Sequence, residues 1–370
     1  MYGTKAVYLG IGVAAAAMLA PGARAEDVTI GYAGPLTGQL AALGDQVRRG
    51  ADLAVADLNA KGGILGQKVQ IEYGDDQCDP KQAVSVANQF VGKKVSAVVG
   101  HVCSGSSIPA SDIYREEGTP MITPSATNPT ITDKGYPNIF RTLGRDDQQG
   151  IFAGEYIAKR FKDRTIAILH DKQAYGKGVA EQTKAQLNKL GVKEVLFDSI
   201  NAGEKDFRSM VSRLKSLGVN FLYYGGYHPE AGLLIRQAHE QGMNLQMMGG
   251  DGLNTSEYTA VAGADAEGTL LTFAPDARNS PEGKDVAERL RKQGFEPEGY
   301  TLYAYAAVQV FAQGAEKAKS LNHADVDTAL HAGDFKTVVG DISYDAKGDL
   351  KNPKFDVYVW KGGKAEPLPK

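Results

Sequence analysis

The sequence has little cysteine, histidine or tryptophan: two, six and one among 370 residues. Two cysteines are too few for a disulfide-scaffolded miniprotein, and neither Cys78 nor Cys103 has a histidine or second cysteine at metal-ligand spacing. The histidines, His101, His170, His228, His239, His323 and His331, show no HExxH pattern. An excess of one charge is also missing. Lys and Arg number 41 against 44 Asp and Glu, a net charge of −3 with no basic stripe, which excludes an ordinary nucleic-acid binder. No Walker A pattern occurs, and Cys103 and Ser104 lack the flanking glycines of a nucleophile elbow. No low-complexity linker or short-period repeat interrupts the chain, and beyond residue 25 no apolar run reaches the ~20 residues of a membrane span.

What is present begins with a distinct first segment. Lys5 precedes an alanine-rich apolar run from Ala6 to Ala20, then Pro21 and the small-residue pattern Ala23-Arg24-Ala25. This reads as a secretory signal peptide, residues 1–25, cleaved before Glu26 and directing the chain to the periplasm. An uncleaved anchor is the alternative, disfavoured by the short run and the cleavage pattern. Gly10-Ile11-Gly12 falls inside this segment, so it is no dinucleotide fingerprint. Losing Lys5 and Arg24 takes the net charge from −3 to −5. In an exported chain an even cysteine count points to one disulfide, with two free thiols as the alternative.

The remaining length exceeds one domain of about 100–200 residues. Strand-like and helix-like segments alternate along it. Val28 to Tyr32 is a short β-type run, and Val47, Ala51, Ala54, Val55 and Leu58 then lie on one helical face. Asp79 and Pro80 open a helix as N-cap and first-turn proline, and Gly118 stops the one over 107–117. Further strands are read at 68–73, 95–99, 120–123, 165–169, 195–197, 221–224, 246–248 and 269–273, with helical spacing between many of them. Repeated strand–helix units imply parallel sheets covered by helices on both faces. About ten units are too many for one ordinary sheet, so the fold class is α/β with two doubly wound lobes.

In such sheets ligands sit beyond the carboxyl ends of the strands. The segments there are Gly100 to Ser107, Pro124 to Pro129, His170 to Gly176, Gly225 to Pro229 and Gly249 to Gly252. The first two offer hydroxyls and helix-start N–H groups, which suit an anion such as a carboxylate. The later ones offer tyrosines and Asp251, which suit an ammonium group. One set for each sign is what a zwitterion such as a free amino acid needs. Each piece also has a plain reading: Ser104, Ser106 and Ser107 as caps, Ser125 and Thr127 as turn residues, Asp251-Gly252 as a turn pair, Tyr175 and Tyr227 as packing. Their shared placement after strand ends favours the site.

Several stretches resemble the periplasmic leucine–isoleucine–valine-binding proteins of amino-acid ABC importers. They include 57–64 (DLNAKGGI), 78–84 (CDPKQAV), 100–104 (GHVCS), 110–114 (ASDIY), 170–173 (HDKQ), 202–207 (AGEKDF), 223–230 (YYGGYHPE) and 347–351 (KGDLK), and cover essentially the whole mature chain. The resemblance implies a type I periplasmic binding fold with three crossings between lobes. One lobe would hold residues 26–145 and 276–353, the other 146–275 and 354–370. It implies a Cys78–Cys103 disulfide and no cofactor. By position, Ser104, Ser125 and Thr127 would hold the ligand's carboxylate and amine, and Tyr175 and Tyr227 would close from the second lobe. Asp251 stands where the family has glutamate, and Leu43 where close relatives carry an aromatic residue. Ser125 stands where a smaller residue is common, Tyr300 where a phenylalanine is known, and Val102 completes the set. These departures open a broader or more polar range than branched-chain ligands.

The implied mechanism is hinge closure on a free L-amino acid, with the closed form presented to a membrane permease by a monomeric shuttle. Two other classes stand beside it. One is a small-molecule sensor signalling to a partner protein, against which the export signal speaks. The other is an exported enzyme using His170 as base with a serine, which would consume its ligand.

Overall fold

The computed structural model describes residues 1–6 and 27–369, so most of the expected signal peptide, residues 7–25, lies outside the described residues. Ten strands alternate with helices from residue 28 to residue 273. They are β1 (Val28–Gly34), β2 (Val69–Asp75), β3 (Ala97–Gly100), β4 (Met121–Thr123), β5 (Ile139–Arg141), β6 (Ile166–His170), β7 (Leu196–Ser199), β8 (Phe221–Gly225), β9 (Gln246–Gly249) and β10 (Leu270–Phe273). Four more follow: the hairpin β11 (Asp334–Thr337) and β12 (Gly340–Ser343), then β13 (Asp356–Lys361) and β14 (Lys364–Pro367).

The first sheet is parallel, in the order β2-β1-β3-β4-β5. The second runs β14-β13-β10-β9-β8-β6-β7. Its core from β10 to β7 is parallel and repeats the first order from the opposite edge, with β6 in the place of β1. The chain is therefore two copies of one doubly wound topology. Each has its switch point beside its first strand, between β1 and β3 and between β6 and β8. Crevices at such points are where open α/β sheets bind ligands. The sequence reading of parallel sheets is extended at one edge, where β13 and β14 add antiparallel strands.

The period-2 alternation of buried strands explains the layers. In the first sheet Ile30, Tyr32, Val99, Ile122 and Phe140 face one cluster, while Ala33, Val98, Met121 and Ile139 face another. In the second, Ala167, Leu169, Leu222, Tyr224, Met247 and Leu271 join that same first cluster, and Ile166, Ile168, Phe221, Tyr223 and Met248 line a third. One continuous core thus passes between the lobes. Local signals act as read: Asp79 accepts from the Lys81 and Gln82 N–H groups at 2.8 and 2.9 Å, and Gly118 ends its helix at φ 68°.

Three passages connect the sheets: after β5, after β10, and from β12 to β13. The second leads into helix Thr301–Ala318, which packs on helix Ala41–Ala60 of the first sheet. Among the described residues no helix is long and apolar enough to cross a membrane.

Candidate functional site

The loop after β3 is fixed from every side. His101 is fully buried, its Nδ1 2.6 Å from Asp76 and its Nε2 3.0 Å from the Tyr114 hydroxyl. Its carbonyl accepts from Ser107 at 3.1 Å and Thr123 at 2.9 Å. Two residues on, Cys103 is bonded to Cys78. The loop after β4 is stitched to this one: the Asn128 N–H donates to Ser104 Oγ at 3.2 Å, and Ser125 Oγ donates to the Val102 carbonyl at 2.9 Å. These bonds divide the hydroxyls by role. Ser104 keeps its proton to donate to an anion. Ser125 has spent its proton and is left with lone pairs, which suit an ammonium group. The Thr127 hydroxyl has no partner.

Beneath this loop lies Arg141, fully buried. It donates to the Ala126 and Asn128 carbonyls at 3.0 and 3.2 Å and to Thr132 at 2.7 Å, and it pairs with Asp349 at 2.7 Å. Asp349 also pairs with Arg145 at 2.7 Å, so the Lys347–Lys351 segment braces the loop from behind.

The opposite wall comes from the second sheet. Tyr175 begins helix Ala174–Lys189 beyond β6, and Tyr227 follows β8, their rings 5.0 Å apart. The Tyr175 hydroxyl donates to Asp251 Oδ1 at 2.8 Å and accepts from the Gly252 N–H at 3.0 Å. Gly250 permits this approach, because a Cβ there would lie 2.4 Å from the same hydroxyl oxygen. Tyr300, from the start of the first-lobe helix Thr301–Ala318, donates to Asp251 Oδ2 at 2.7 Å. Burial raises the Asp251 pKa, and the two tyrosine hydroxyls oppose that rise.

The walls meet. Leu43, Val102, Ser104, Ser125, Thr127, Tyr175, Tyr227, Asp251 and Tyr300 are all buried, none more than 5% exposed. Leu43, Val102, Tyr175, Tyr227 and Tyr300 share the cluster that runs between the lobes. Direct bonds cross between them. Asn128 Nδ2 donates to the Ala174 carbonyl at 2.8 Å, and Gln46 Nε2 donates to the Asn254 carbonyl at 3.1 Å while its Oε1 accepts from the Tyr300 N–H at 3.0 Å. Glu298 accepts from the Ser256 N–H and hydroxyl at 2.8 and 2.9 Å. This is a closed arrangement.

Sequence reasoning missed Gln46, Asn128, Asp146, Gln149 and Glu298. Asp146 and Gln149 open helix Asp146–Arg160 in the first passage between the sheets. They lie just beyond the carboxyl end of β5, a strand that the sequence reading does not contain, so strand-end reasoning does not reach them. His170, the base that an enzyme reading would use, accepts from the Lys172 N–H at Nδ1, 3.1 Å, and its ring lies 5.4 Å from Phe197. Burial lowers its pKa.

A family model described as periplasmic binding protein matches residues 27–365. The chain is 50% identical over 354 residues, 95% of each chain, to the Leu/Ile/Val-binding protein homolog 2 of Brucella abortus. It is 48% identical to the amino acid binding protein of Pseudomonas aeruginosa, covering 93% of both. The structure of the branched-chain amino acid transporter substrate binding protein LivJ of Streptococcus pneumoniae in complex with isoleucine matches with a TM-score of 0.84 at 29% identity. That match covers 92% of this chain and 98% of the other.

Proposed function

The chain belongs to the periplasmic binding protein family, and from that premise we propose that it is the solute-binding component of an ABC amino-acid importer, closing on one free L-amino acid. The observation that carries this reading is the pairing of opposite walls in one buried cleft. Hydroxyls come from the first lobe; a carboxylate framed by tyrosines comes from the second. Ser104, with the Thr127 N–H, holds the carboxylate of the ligand, the N–H groups of Ser125, Ala126 and Asn128 being bonded within the loop. Asp251, with Ser125 and Thr127, takes the ammonium, and Tyr175 and Tyr227 cover it. Leu43, Val102 and Tyr300 bound the side-chain end, and their apolar faces favour leucine, isoleucine or valine. The lobes are residues 26–145 with 276–353 and 146–275 with 354–370, and rotate about the three passages. The chain is exported to the periplasm through cleavage of residues 1–25, works as a monomer, and delivers its ligand to a membrane permease.

Thermal unfolding of the mature chain, refolded to strip ligand, tests this against a panel of L-amino acids. A ligand at a thousand times its dissociation constant stabilises by about 4 kcal/mol. The expected result is a large upward shift with branched-chain amino acids, lost in Asp251→Ala. A shift with other amino acids alone removes the branched-chain preference, and no shift with any amino acid contradicts the reading.

A further inference from the structure

The acceptor with the most unused capacity in the cleft is not Asp251. Both Asp251 oxygens already accept a tyrosine hydroxyl. Asp146 is equally buried, 0% exposed, and neither of its carboxylate oxygens has a hydrogen-bond partner. Gln149, one helical turn on and 1% exposed, also leaves Oε1 unpartnered. Its amide is held in orientation, because Nε2 donates to the Thr272 carbonyl at 2.9 Å.

These atoms belong to the cleft. The Asp146 N–H donates to the Thr127 carbonyl at 2.9 Å, registering the carboxylate to the hydroxyl-bearing loop. Thr127 lies near enough to lower the Asp146 pKa, and Gln149 near enough to Asp251 to do the same there, although neither contact has hydrogen-bond geometry. Across the lobe boundary Gly178 lies beside Asn128 and Asp146: a Cβ there would press on Asn128 Nδ2 at 2.9 Å and reach Asp146 Oδ2 at 3.6 Å, an ordinary contact. The neighbouring cation, Arg141, is committed to Asp349 and to loop carbonyls.

An acid in the first turn of a helix is ordinarily explained by the helix dipole. Such an acid faces water or accepts backbone N–H groups, and Asp146 does neither. A buried carboxylate with no partner costs several kcal/mol unless a cation or several donors meet it. The two Asp146 oxygens, Gln149 Oε1 and the Thr127 hydroxyl are unpartnered, and the three N–H donors of an ammonium group are divided among these atoms and Asp251.

We propose that Asp146, with Gln149 beside it, receives the ammonium group of the ligand jointly with Asp251, so that the cleft selects a protonated amine over a hydroxyl at that position. The proposal rests on the amino-acid reading above. Burial and the nearby Asp251 charge both raise the Asp146 pKa, so two close carboxylates repel until a cation lies between them.

The test is calorimetric titration of refolded wild-type and Asp146→Asn chains with L-leucine, L-valine and L-alanine, each beside its 2-hydroxy analogue. Asn keeps the shape of the side chain and removes the charge. The expected result is a loss of ~30-fold or more in amino-acid affinity, with the hydroxy-acid affinities within about threefold of wild type. Amino-acid affinity unchanged within about threefold overturns the proposal, as does an equal loss for both ligand types, which marks a structural role. Wild type binding no amino acid overturns the amino-acid reading and this inference together. Should Asp146→Asn not fold, Gln149→Leu is expected to lose several-fold for amino acids alone, and an equal effect on both classes overturns the proposal in the same way.

Discussion

The first wall reaches the cleft through hydroxyls and peptide groups that other bonds already hold in place. The second reaches it through a carboxylate and aromatic rings whose partners are themselves side chains. Loops 100–104 and 125–128 are tied by the Cys78–Cys103 disulfide, the His101–Asp76–Tyr114 chain and the Arg141 fork. Tyr175, Tyr227 and Asp251 have one another, and Asp251 also takes a bond from Tyr300 of the first lobe. The difference points to a division of labour. The first wall is held by its own bonds, and the second is completed from across the boundary, where Tyr300 donates to Asp251 and Asn128 to the Ala174 carbonyl.

The sharpest way to break this comparison is to remove the brace of the first wall. Arg141→Ala leaves Asp349 buried with Arg145 and the Thr132 hydroxyl and strips bonds from two loop carbonyls. Removing one partner of a buried ion pair costs about 3–5 kcal/mol. The unfolding midpoint in urea should fall accordingly, and a wild-type midpoint would show that the loop needs no brace. A smaller loss follows from reducing the disulfide, which spans 25 residues. It stabilises by about 3 kcal/mol in the chain-entropy model, so unfolding under reductant should shift by that amount. A shift confined to ligand affinity, with the midpoint unchanged, would place its role in the loop alone.

The third and smallest effect separates the lobes by pH. Behind the second wall, burial pushes the Asp171 carboxyl up to about 7. A carboxyl whose folded pKa is raised contributes stability that is complete below its ordinary value of 3.8 and lost as pH rises through about 7. In the first lobe, burial pushes Asp327 up to about 8, so its loss continues to higher pH. Melting followed between pH 4 and 9 should therefore weaken throughout, less steeply above about 7, where Asp171 has ionised, and level off above about 8. Asp171→Asn should make the fall below about pH 7 shallower and leave the part above it unchanged. An unchanged profile in that variant would contradict the assignment.

Much of this architecture was legible in the residues. Asp79-Pro80 and Gly118 marked helix ends because capping is local chemistry, and the buried runs at 95–99 and 221–224 read as strands because both faces of a central strand are apolar. Segments after strand ends held Ser104, Ser125, Thr127, Tyr175, Tyr227 and Asp251, and the fold buries all six. Gln46, Asn128 and Glu298 were not legible, because their bonds join residues 42 to 208 positions apart across the lobe boundary. Asp146 escaped notice for a different reason. At the head of a helix it looks like a dipole partner, and only its burial without one sets it apart. The antiparallel β13–β14 edge, lying beyond the strand–helix rhythm, gave no comparable signal.

The most direct test of the central claim is small-angle scattering from the stripped mature chain, with and without saturating L-leucine. The account predicts a more extended particle without ligand and, with ligand, a profile matching the closed structure described here. Identical profiles in the two states, with leucine demonstrably bound, would contradict closure of the two walls on the ligand.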